Sequence, residues 1–450
     1  MFTYVRRLGI AAAIAAGLVA PRASAQAPAY DRAVELASFD SAWTRVRDSY
    51  YDASMRGLDW VALRDSLRPQ VERGRSRNDT RLAITALLSR LGESHFGILP
   101  GDAMDAASST DHVEGGVAGD AGIEVRFLDS LLVITRIDND APARSMGIRP
   151  GWVIDEIDSL RVIDALRATS RVDAASRRFA LVRLSLTLNN RLTGVAGGTI
   201  RLVMRDGSGV RRELKVPLRV TEGQLVEYGQ LPPIHVRLET ERLTSNSGCV
   251  GVIRFNIFMT PVMPRFEDAM AAFGSCDGVV LDLRGNLGGL GAMVMGISGH
   301  FFTKPDTLGT IRIREATMRY VANPVRVSRS GKPMKPFAGP VAILVDELSA
   351  STTEILAAAL QRLGRARVFG VPSAGQALPA LLTRLPNGDR LMYVIGDYAG
   401  PGGTRLEGAG VTPDVPTPLS RSSLLAGRDD ALQAAVKWIQ SPTRPAGGSQ

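Results

Sequence analysis

A short apolar strand, a turn of small residues and a helix follow one another within residues 341–376, and this order constrains the fold more than any other segment. Residues 341–345 read Val-Ala-Ile-Leu-Val, a β-branched run typical of a buried strand. Residues 349–354 read Ser-Ala-Ser-Thr-Thr-Glu, and residues 355–363 carry apolar side chains at helical spacing. The sequence therefore predicts a strand, a turn and a helix, with Ser351 at the positive end of the helix dipole.

Two interpretations of Ser351 follow from this layout. A serine at a helix start is surrounded by backbone N–H groups that can stabilise a developing oxyanion, which suits a nucleophile. Ser351 and Glu354 also fit a Ser-x-x-Glu capping box, in which the serine only caps the helix. Both interpretations stay open on this segment alone.

The composition is that of a globular protein with more than one domain. The chain has 450 residues, 45% of them hydrophobic, which is enough for two or three domains with packed cores. Its formal net charge of +9 comes from basic residues dispersed among acids, so no nucleic-acid partner is expected. The four His and two Cys form no ligand cluster in the sequence, so we expect no metal and no other cofactor.

Residues 1–25 have the three parts of a secretory signal peptide. Two arginines precede an apolar run over residues 8–20, and residues 23–25 read Ala-Ser-Ala, as at a cleavage site. The apolar run is too short for a stable span, so we expect export to a periplasm or the extracellular space without a membrane segment after cleavage. In that setting Cys249 and Cys276 could form a disulfide, and two buried thiols fit the sequence equally well.

Periodicity and composition divide the rest of the chain. We predict a helical region, a small-residue linker, a strand-rich unit, an α/β domain and a disordered tail at residues 27–100, 101–121, 122–219, 225–440 and 441–450. Residues 220–247 are polar and are expected to connect the last two domains. The alternation of strands and helices after this connection makes the predicted fold class α/β.

The strand-rich unit carries a first resemblance. The segments GIEVRF at 122–127 and VITRIDNDAPARSMGIRPGWVIDEID at 133–158 look like a PDZ domain of the type inserted in bacterial processing proteases. The resemblance implies that a peptide C-terminus, or an extended strand, adds to the sheet edge and that backbone N–H groups hold its carboxylate. The implied binding residues are Gly122, Ile123, Glu124 and Val125.

Three ordered motifs in the α/β domain carry a second resemblance. The segments LDLRGNLGG at 281–289, VDELSASTTEILAAALQRLG at 345–364 and GVPSAGQALPA at 370–380 resemble the family of C-terminal processing (tail-specific) proteases, tricorn core protease and interphotoreceptor retinoid-binding protein. The resemblance implies a ClpP/crotonase-like serine peptidase core with Ser351 as nucleophile. The tail-specific branch uses a lysine base where this chain has Gln376, and glutamine cannot accept a proton near neutral pH.

The tricorn branch uses histidine instead, and its motifs have counterparts here. Ser94 and His95 in LGESHFGILP resemble the Ser-His pair of that branch, and Glu407 in RLEGAGVTPDV resembles its glutamate. The resemblance implies that His95 is the general base for Ser351, oriented by Ser94 and Glu407. It also implies an oxyanion hole formed by the N–H of Thr352 and that of Gly288 or Gly289, because glycine lets the backbone approach a carbonyl closely.

The predicted activity is hydrolysis of peptide bonds in peptide or protein substrates through an acyl-enzyme, with no predicted oligomeric state. An esterase is a poorer fit because no G-x-S-x-G elbow surrounds Ser351. An alternative stays open, since the Ser-His pair also resembles an Asp-Pro-His-Thr element that tail-specific enzymes do not use as the base. Gln376 would then mark an inactive relative that binds peptides or an apolar ligand.

Overall fold

The computed structural model describes residues 30–102, 117–170, 174–245 and 248–441. The predicted signal peptide, most of the predicted linker and the predicted tail lie outside these ranges. Among the described residues, the structure contains no helix with the length and apolar character needed to cross a membrane.

The α-helices range in length from four to 18 residues. In chain order they are α1 (Arg32–Ser49), α2 (Trp60–Glu72), α3 (Arg77–Ser89), α4 (Pro142–Ser145), α5 (Val162–Ser170), α6 (Ala174–Asn190), α7 (Val262–Ala272), α8 (Met293–Gly299), α9 (Thr352–Arg362), α10 (Arg421–Leu425) and α11 (Asp430–Gln440). Short 3-10 turns occur at Met55–Gly57 and Pro401–Gly403.

The strands of the first half of the chain are β1 (Gly97–Leu99), β2 (Ala118–Asp120), β3 (Ile123–Leu128), β4 (Leu131–Ile137), β5 (Val153–Ile157), β6 (Leu160–Arg161), β7 (Thr193–Val195), β8 (Thr199–Arg205), β9 (Arg211–Pro217) and β10 (Arg219–Val220). Those of the second half are β11 (Gln224–Val226), β12 (Ile234–Val236), β13 (Leu238–Ser245), β14 (Gly248–Phe255), β15 (Gly278–Asp282), β16 (Asp306–Ile313), β17 (Thr317–Ala322), β18 (Val341–Val345), β19 (Ala366–Gly370), β20 (Ala380–Arg384), β21 (Arg390–Val394), β22 (Gly396–Ala399) and β23 (Val415–Pro416).

Helices α1 to α3 occupy the segment for which helical periodicity is predicted. Asp31, Asp59 and Ser76 cap their N-termini by accepting backbone N–H bonds. Their apolar faces meet around Phe39 and Leu87, which are fully buried. The same core includes side chains from β21, which pairs with both β1 and β20. The helical region is therefore packed against a hairpin that comes almost 300 residues later in the chain.

The strand-rich unit is built on an antiparallel sheet in the order β3-β4-β5-β8-β9, with β3 at one edge. Helix α6 packs along β3, and Leu188 of this helix contributes to the buried core of the unit. Helices α5 and α6 were not predicted from the sequence. The expectation of a linker throughout residues 101–121 is wrong at its end, because β2 pairs there with β7 and β10. Its pairing satisfies backbone groups although its residues are small.

A six-stranded sheet in the order β13-β14-β15-β18-β19-β23 forms the α/β core, which confirms the predicted fold class. Strands from β14 to β23 are parallel, with Val279 opposite Val341 and Leu281 opposite Ile343. Because helices cover both faces, β15 and β18 are buried along their whole lengths. The C-terminal ends of these two strands lead into the loops that carry the candidate site.

The prediction that residues 220–247 are only a connection is wrong. This segment contains β11, β12 and β13, and β13 pairs with β14 along eight residues as the antiparallel edge of the core sheet. Its sequence, Leu-Glu-Thr-Glu-Arg-Leu-Thr-Ser, is polar because an edge strand presents much of its surface to solvent. Polarity therefore concealed a strand that the pairing makes evident.

Candidate active site

Ser351 lies at the junction between the loop after β18 and the first residue of α9. Its backbone has φ 58° and ψ −121°, a sparsely populated conformation that costs on the order of 1–3 kcal/mol. The Ser351 N–H donates to the carbonyl of Gln376 at 2.7 Å and to Glu354 Oε2 at 3.1 Å. These bonds hold a strained turn, and they leave the Ser351 side chain half-buried at the edge of the core.

Glu354 does more than cap the helix. Its carboxylate is fully buried and, besides the Ser351 N–H, accepts the Ser373 hydroxyl at 2.6 Å, the Gly375 N–H at 2.7 Å and the Gln376 N–H at 2.8 Å. Burial raises its pKa, and these hydrogen bonds oppose the rise. The capping interpretation of Glu354 is thus correct but incomplete, since the same carboxylate fastens residues 373–376 to the Ser351 turn.

The glycine pair of the loop after β15 lies directly against Ser351. A Cβ on Gly288 would be 2.6 Å from Ser351 Cβ and 2.8 Å from the Thr352 nitrogen. The Gly288 N–H, however, donates to Asn286 Oδ1 at 2.9 Å. Thr352 Oγ1 in turn donates to the Gly289 carbonyl at 2.8 Å. Of the two glycine alternatives in the predicted oxyanion hole, Gly289 is therefore the better donor to pair with Thr352.

Ser94, His95 and Glu407 are joined by hydrogen bonds although the first and last are 313 residues apart. The Ser94 N–H donates to Glu407 Oε1 at 2.7 Å, and the Ser94 hydroxyl donates to Glu407 Oε2 at 2.9 Å. His95 Nδ1 lies 2.7 Å from the same hydroxyl oxygen. Since that hydroxyl gives its proton to Glu407, it must accept from Nδ1–H, and Nε2 is then the unprotonated nitrogen of the imidazole.

Residues 376 and 377 connect this group to Ser351. The Ala377 N–H donates to Glu407 Oε2 at 3.0 Å, whereas the carbonyl of the preceding Gln376 accepts from the Ser351 N–H. Two consecutive residues of one loop thus contact the two halves of the predicted site. These hydrogen bonds bring Ser351, Ser94, His95 and Glu407 to one region of the structure.

Burial changes the proton affinity of both titratable groups in this region. Loss of solvent around the His95 ring lowers its pKa to about 4. Burial raises the pKa of Glu407, and the N–H and O–H groups of Ser94 with the N–H of Ala377 oppose that rise. His95 is therefore neutral at pH 7, as a general base must be.

Models of two known families match separate parts of the chain. Residues 249–417 match peptidase family S41, and residues 36–88 match the tricorn protease C1 domain. Residues 249–417 are thus a peptidase S41 domain. This domain, together with relatives named as carboxyl-terminal-processing proteases, makes the chain a serine-type peptidase, a hydrolase. The second match extends from within α1 to the last turn of α3, so the predicted helical region resembles the tricorn protease C1 domain.

Similarity to individual proteins extends beyond these two segments. The chain is 26% identical over 407 residues to carboxyl-terminal-processing peptidase 2 of Arabidopsis thaliana chloroplasts, covering 87% of this chain and 71% of the plant protein. It is 25% identical over 413 residues to a carboxyl-terminal-processing protease of a Picosynechococcus strain, covering 88% and 87%. The solved photosystem II D1 C-terminal processing protease superposes with a TM-score of 0.57 at 21% identity, covering 92% and 99%, which shows a shared fold.

The four predicted peptide-binding residues lie at the β3 edge, where neighbouring side chains already form hydrogen bonds with part of the backbone. The Val125 N–H donates to Asn189 Oδ1 at 3.1 Å, and Asn189 Nδ2 donates to the Val125 carbonyl at the same distance. The Gly122 N–H donates to Asp120 Oδ1 at 2.8 Å. Asn189 belongs to the unpredicted helix α6, so no sequence signal pointed to these contacts.

The side chains of β3 also reach the catalytic core. Glu124 is bonded twice to Arg254 at 2.7 Å, and despite burial its pKa falls to about 2 because Arg254, Arg126 and Arg136 surround it. Arg126 Nε donates to Asp346 Oδ2 at 2.8 Å, and this aspartate follows β18 in the loop that carries Ser351. Ile123 instead belongs to the core of the strand-rich unit. Glu124 thus joins β3 to β14 of the α/β core through its ion pair with Arg254, a role that the sequence did not reveal.

Cys249 and Cys276 are joined by a disulfide. His300 is buried against Phe266, so it belongs to the core. Within the ranges that the structure describes, no three His, Cys, Asp or Glu side chains converge in a way that could hold a metal ion.

Proposed function

We propose that this S41 peptidase is an endopeptidase that forms an acyl-enzyme on Ser351 with His95 as general base. Ser94 and Glu407 would orient the imidazole, and the N–H groups of Thr352 and Gly289 would stabilise the oxyanion. The names of its relatives suggest C-terminal segments of proteins as the substrate class.

The bond changes follow from the protonation state of His95. His95 Nε2 accepts the Ser351 hydroxyl proton as Oγ attacks the scissile carbonyl carbon, whose oxygen becomes the oxyanion. Collapse of this intermediate breaks the C–N bond, and the proton on Nε2 passes to the departing amine. Water then attacks the ester, His95 accepts its proton, and Ser351 regains a proton when the carboxylate product leaves.

One observation carries this proposal. The hydrogen-bonded series from Glu407 through Ser94 to His95 is joined to the Ser351 turn by consecutive residues, Gln376 and Ala377. The side chain of Gln376 has no basic nitrogen, so it cannot replace the lysine of the tail-specific branch. A histidine held in the tautomer with a free Nε2 supplies the missing base.

A serine-reactive fluorophosphonate tests the mechanism directly. We expect intact-protein mass spectrometry to show one adduct on the wild-type chain and none on Ser351→Ala. His95→Ala should slow adduct formation about 10²- to 10⁴-fold, the usual contribution of a general base. His235→Ala provides a histidine control outside the proposed site, and its labelling rate should equal that of the wild type.

The competing function is a catalytically silent binding protein. An absence of adduct at every pH from about 6 to 9 would favour it over the peptidase mechanism, since a reactive serine near a neutral histidine should label in that range. Equal labelling of His95→Ala and wild type would instead retain the nucleophile and reject His95 as its base.

Two further proposals concern substrate capture and location. The strand-rich unit is proposed to be a PDZ domain that receives an extended peptide at β3, with Asn189 displaced from Val125.

The chain is proposed to be exported after signal cleavage, and the Cys249–Cys276 disulfide supports an oxidising compartment. N-terminal sequencing of the protein recovered from a secreting host should begin at Gln26, whereas an N-terminal Met1 in that fraction would argue against cleavage.

A further inference from the structure

Glu93 is an acidic side chain, almost completely buried, that the proposed mechanism does not use. Its side chain is 1% exposed. Tyr50 donates its hydroxyl to Oε2 at 2.6 Å and Tyr51 donates to Oε1 at 2.8 Å. Arg405 Nη2 lies 2.7 Å from Oε1, and Arg56 Nη1 lies 3.2 Å from the same oxygen. Two hydroxyls and two guanidinium groups thus converge on one carboxylate.

The donors to Glu93 come from separate parts of the chain. Tyr50 and Tyr51 follow α1, and Arg56 lies in the 3-10 turn at Met55–Gly57. Arg405 belongs to the segment after β22, two residues before Glu407. Glu93 itself immediately precedes Ser94. The cluster therefore fixes the chain on both sides of the contact between Ser94 and Glu407.

Burial of the Glu93 carboxylate is unfavourable unless all of its hydrogen-bond donors are present. A buried carboxylate without partners loses several kcal/mol of solvation, whereas charge-assisted hydrogen bonds from arginine recover much of that energy. Burial and the bond to Glu93 raise the pKa of Tyr51 to about 12, and the pKa of Tyr50 is raised further. Both tyrosines consequently remain protonated donors throughout the working pH range.

His95 depends on its neighbours for its position. Its backbone has φ 59°, a left-handed conformation that non-glycine residues adopt at a cost of roughly 1–2 kcal/mol. Ser94 is anchored to Glu407 on one side, and Glu93 is anchored by the four donors on the other. Because His95 comes directly after these two anchored residues in the chain, their positions restrict where its imidazole can lie.

We propose that Glu93 is a positioning residue, which holds Ser94 and His95 in register with Glu407 so that Nε2 faces Ser351. The proposal rests on the proposed role of His95 as the base. Because effective catalysis requires placement of the reacting groups to within about an ångström, release of this anchor should reduce kcat more than it changes KM.

The test combines Glu93→Gln with fluorophosphonate labelling across pH. Glutamine keeps the size of the side chain but loses the charge that pairs with Arg405 and Arg56. We expect a loss of about 10- to 100-fold in kcat and in the labelling rate, with KM nearly unchanged. A released ring regains solvent, so the acidic limb of the pH profile should move upward from about 4 toward about 6.5, the ordinary value for histidine.

Two further variants separate the possible results. Glu315→Gln, an exposed acid in the turn between β16 and β17, is the charge-matched control and should behave as wild type. If Glu93→Gln does not fold, Tyr51→Phe removes a single donor and should produce a smaller loss with a shift of the same sign.

The labelling rates of His95→Ala and Glu93→Gln together show whether the proposed mechanism or only the inference about Glu93 has failed. If His95→Ala labels as fast as wild type, the base assignment fails and the role of Glu93 fails with it. If His95→Ala is slow but folded Glu93→Gln matches wild type in rate and pH profile, only the inference about Glu93 is overturned.

Discussion

The N–H of Ser351 donates to the carbonyl of Gln376 at 2.7 Å. The same glutamine gives its own N–H to Glu354 at 2.8 Å, so its backbone is part of the turn that presents the serine. The position that resembles that of the base in the tail-specific branch therefore lies beside the proposed nucleophile, Ser351, in this chain. The glutamine side chain cannot accept a proton near neutral pH, so the proposed mechanism takes its base from another segment.

The first prediction concerns that position. Gln376→Ala should retain kcat/KM within about threefold of wild type, because the backbone bonds to Ser351 and Glu354 do not need the amide side chain. His95→Ala should lower kcat about 10²- to 10⁴-fold. Steady-state cleavage of a fluorogenic peptide measures both variants, and an equally severe loss in Gln376→Ala would contradict the assignment of the base to His95.

The second prediction concerns the close approach of Gly288 to the nucleophile. Its φ is +95°, and an added Cβ would be 2.6 Å from Ser351 Cβ, closer than such atoms can lie. Gly288→Ala should therefore displace Ser351, lower the fluorophosphonate labelling rate more than about tenfold and destabilise the fold by about 1–3 kcal/mol. Gly274→Ala is the matched control, since its nearest atoms would be 3.5 and 3.7 Å away. Equal labelling of both variants would show that the loop yields easily.

The sequence predicted those parts of the fold that depend on local pattern. Buried strands such as β15 and β18 are continuous apolar runs. The motifs around Ser351, Ser94 and Glu407 name residues that the structure brings to one region. Helix α6 was missed because its Leu184-Ser-Leu186-Thr-Leu188 segment alternates and shows no helical period. Strand β13 was missed because edge strands are polar.

Other features of the site could not be predicted because they arise from pairing between distant segments. Glu93 and Arg405 are 312 residues apart, and nothing near either residue indicates the other. The hydrogen bonds of Asn189 to Val125 likewise depend on how α6 packs along β3. Only Glu354 offered a local signal, its capping-box spacing, and that signal accounts for one of its four hydrogen bonds.

The third prediction concerns stability and pH. Burial raises the pKa of Glu347 to about 7, helped by the charge of Asp346 and opposed by Arg126. The pKa in the folded state exceeds the ordinary value of 4.5, so the protonated carboxyl favours the folded state. This contribution to the free energy of unfolding is fully present below pH 4.5 and is lost as the pH rises through about 7. Glu347→Gln should therefore be more stable than wild type at about pH 8 by about 1–2 kcal/mol, a value reduced because the side chain is partly exposed.

Urea denaturation at about pH 4 and about pH 8 measures this difference. The stability difference between Glu347→Gln and wild type should become more favourable to the variant as the pH rises. Glu241→Gln, which removes an exposed carboxyl from β13, should show no such change with pH. A pH-independent difference for Glu347→Gln would show that the carboxyl does not titrate in this range.

The fourth prediction concerns the disulfide. Cys249 lies at the start of β14 and Cys276 lies just before β15, so the bond closes a loop with a sequence separation of 27. Replacing both by serine should lower the free energy of unfolding by about 3 kcal/mol on loop-closure grounds. Labelling of Ser351 should persist, because the bond is at the N-terminal ends of parallel strands whose C-terminal ends carry the site. Loss of labelling in a folded double variant would contradict that separation.

The fifth prediction concerns the occupied edge of β3. The carboxamide of Asn189 donates to and accepts from Val125 at 3.1 Å, as the backbone of an added strand would. A peptide that adds to β3 must break these two bonds, each of which contributes on the order of 1 kcal/mol. Removal of both bonds, about 2 kcal/mol together, should let Asn189→Ala bind such a peptide about 30-fold more tightly.

The measurement uses the full chain with Ser351→Ala and a fluorescein-labelled peptide that ends in Val-Ala-Ala with a free carboxylate, followed by fluorescence anisotropy. Asn190→Ala changes the adjacent exposed asparagine and should leave affinity unaltered. The same peptide with an amidated C-terminus tests whether the carboxylate contributes. Affinity that is equal or weaker in Asn189→Ala would mean that peptide and side chain do not compete, and that strand addition occurs elsewhere on this unit.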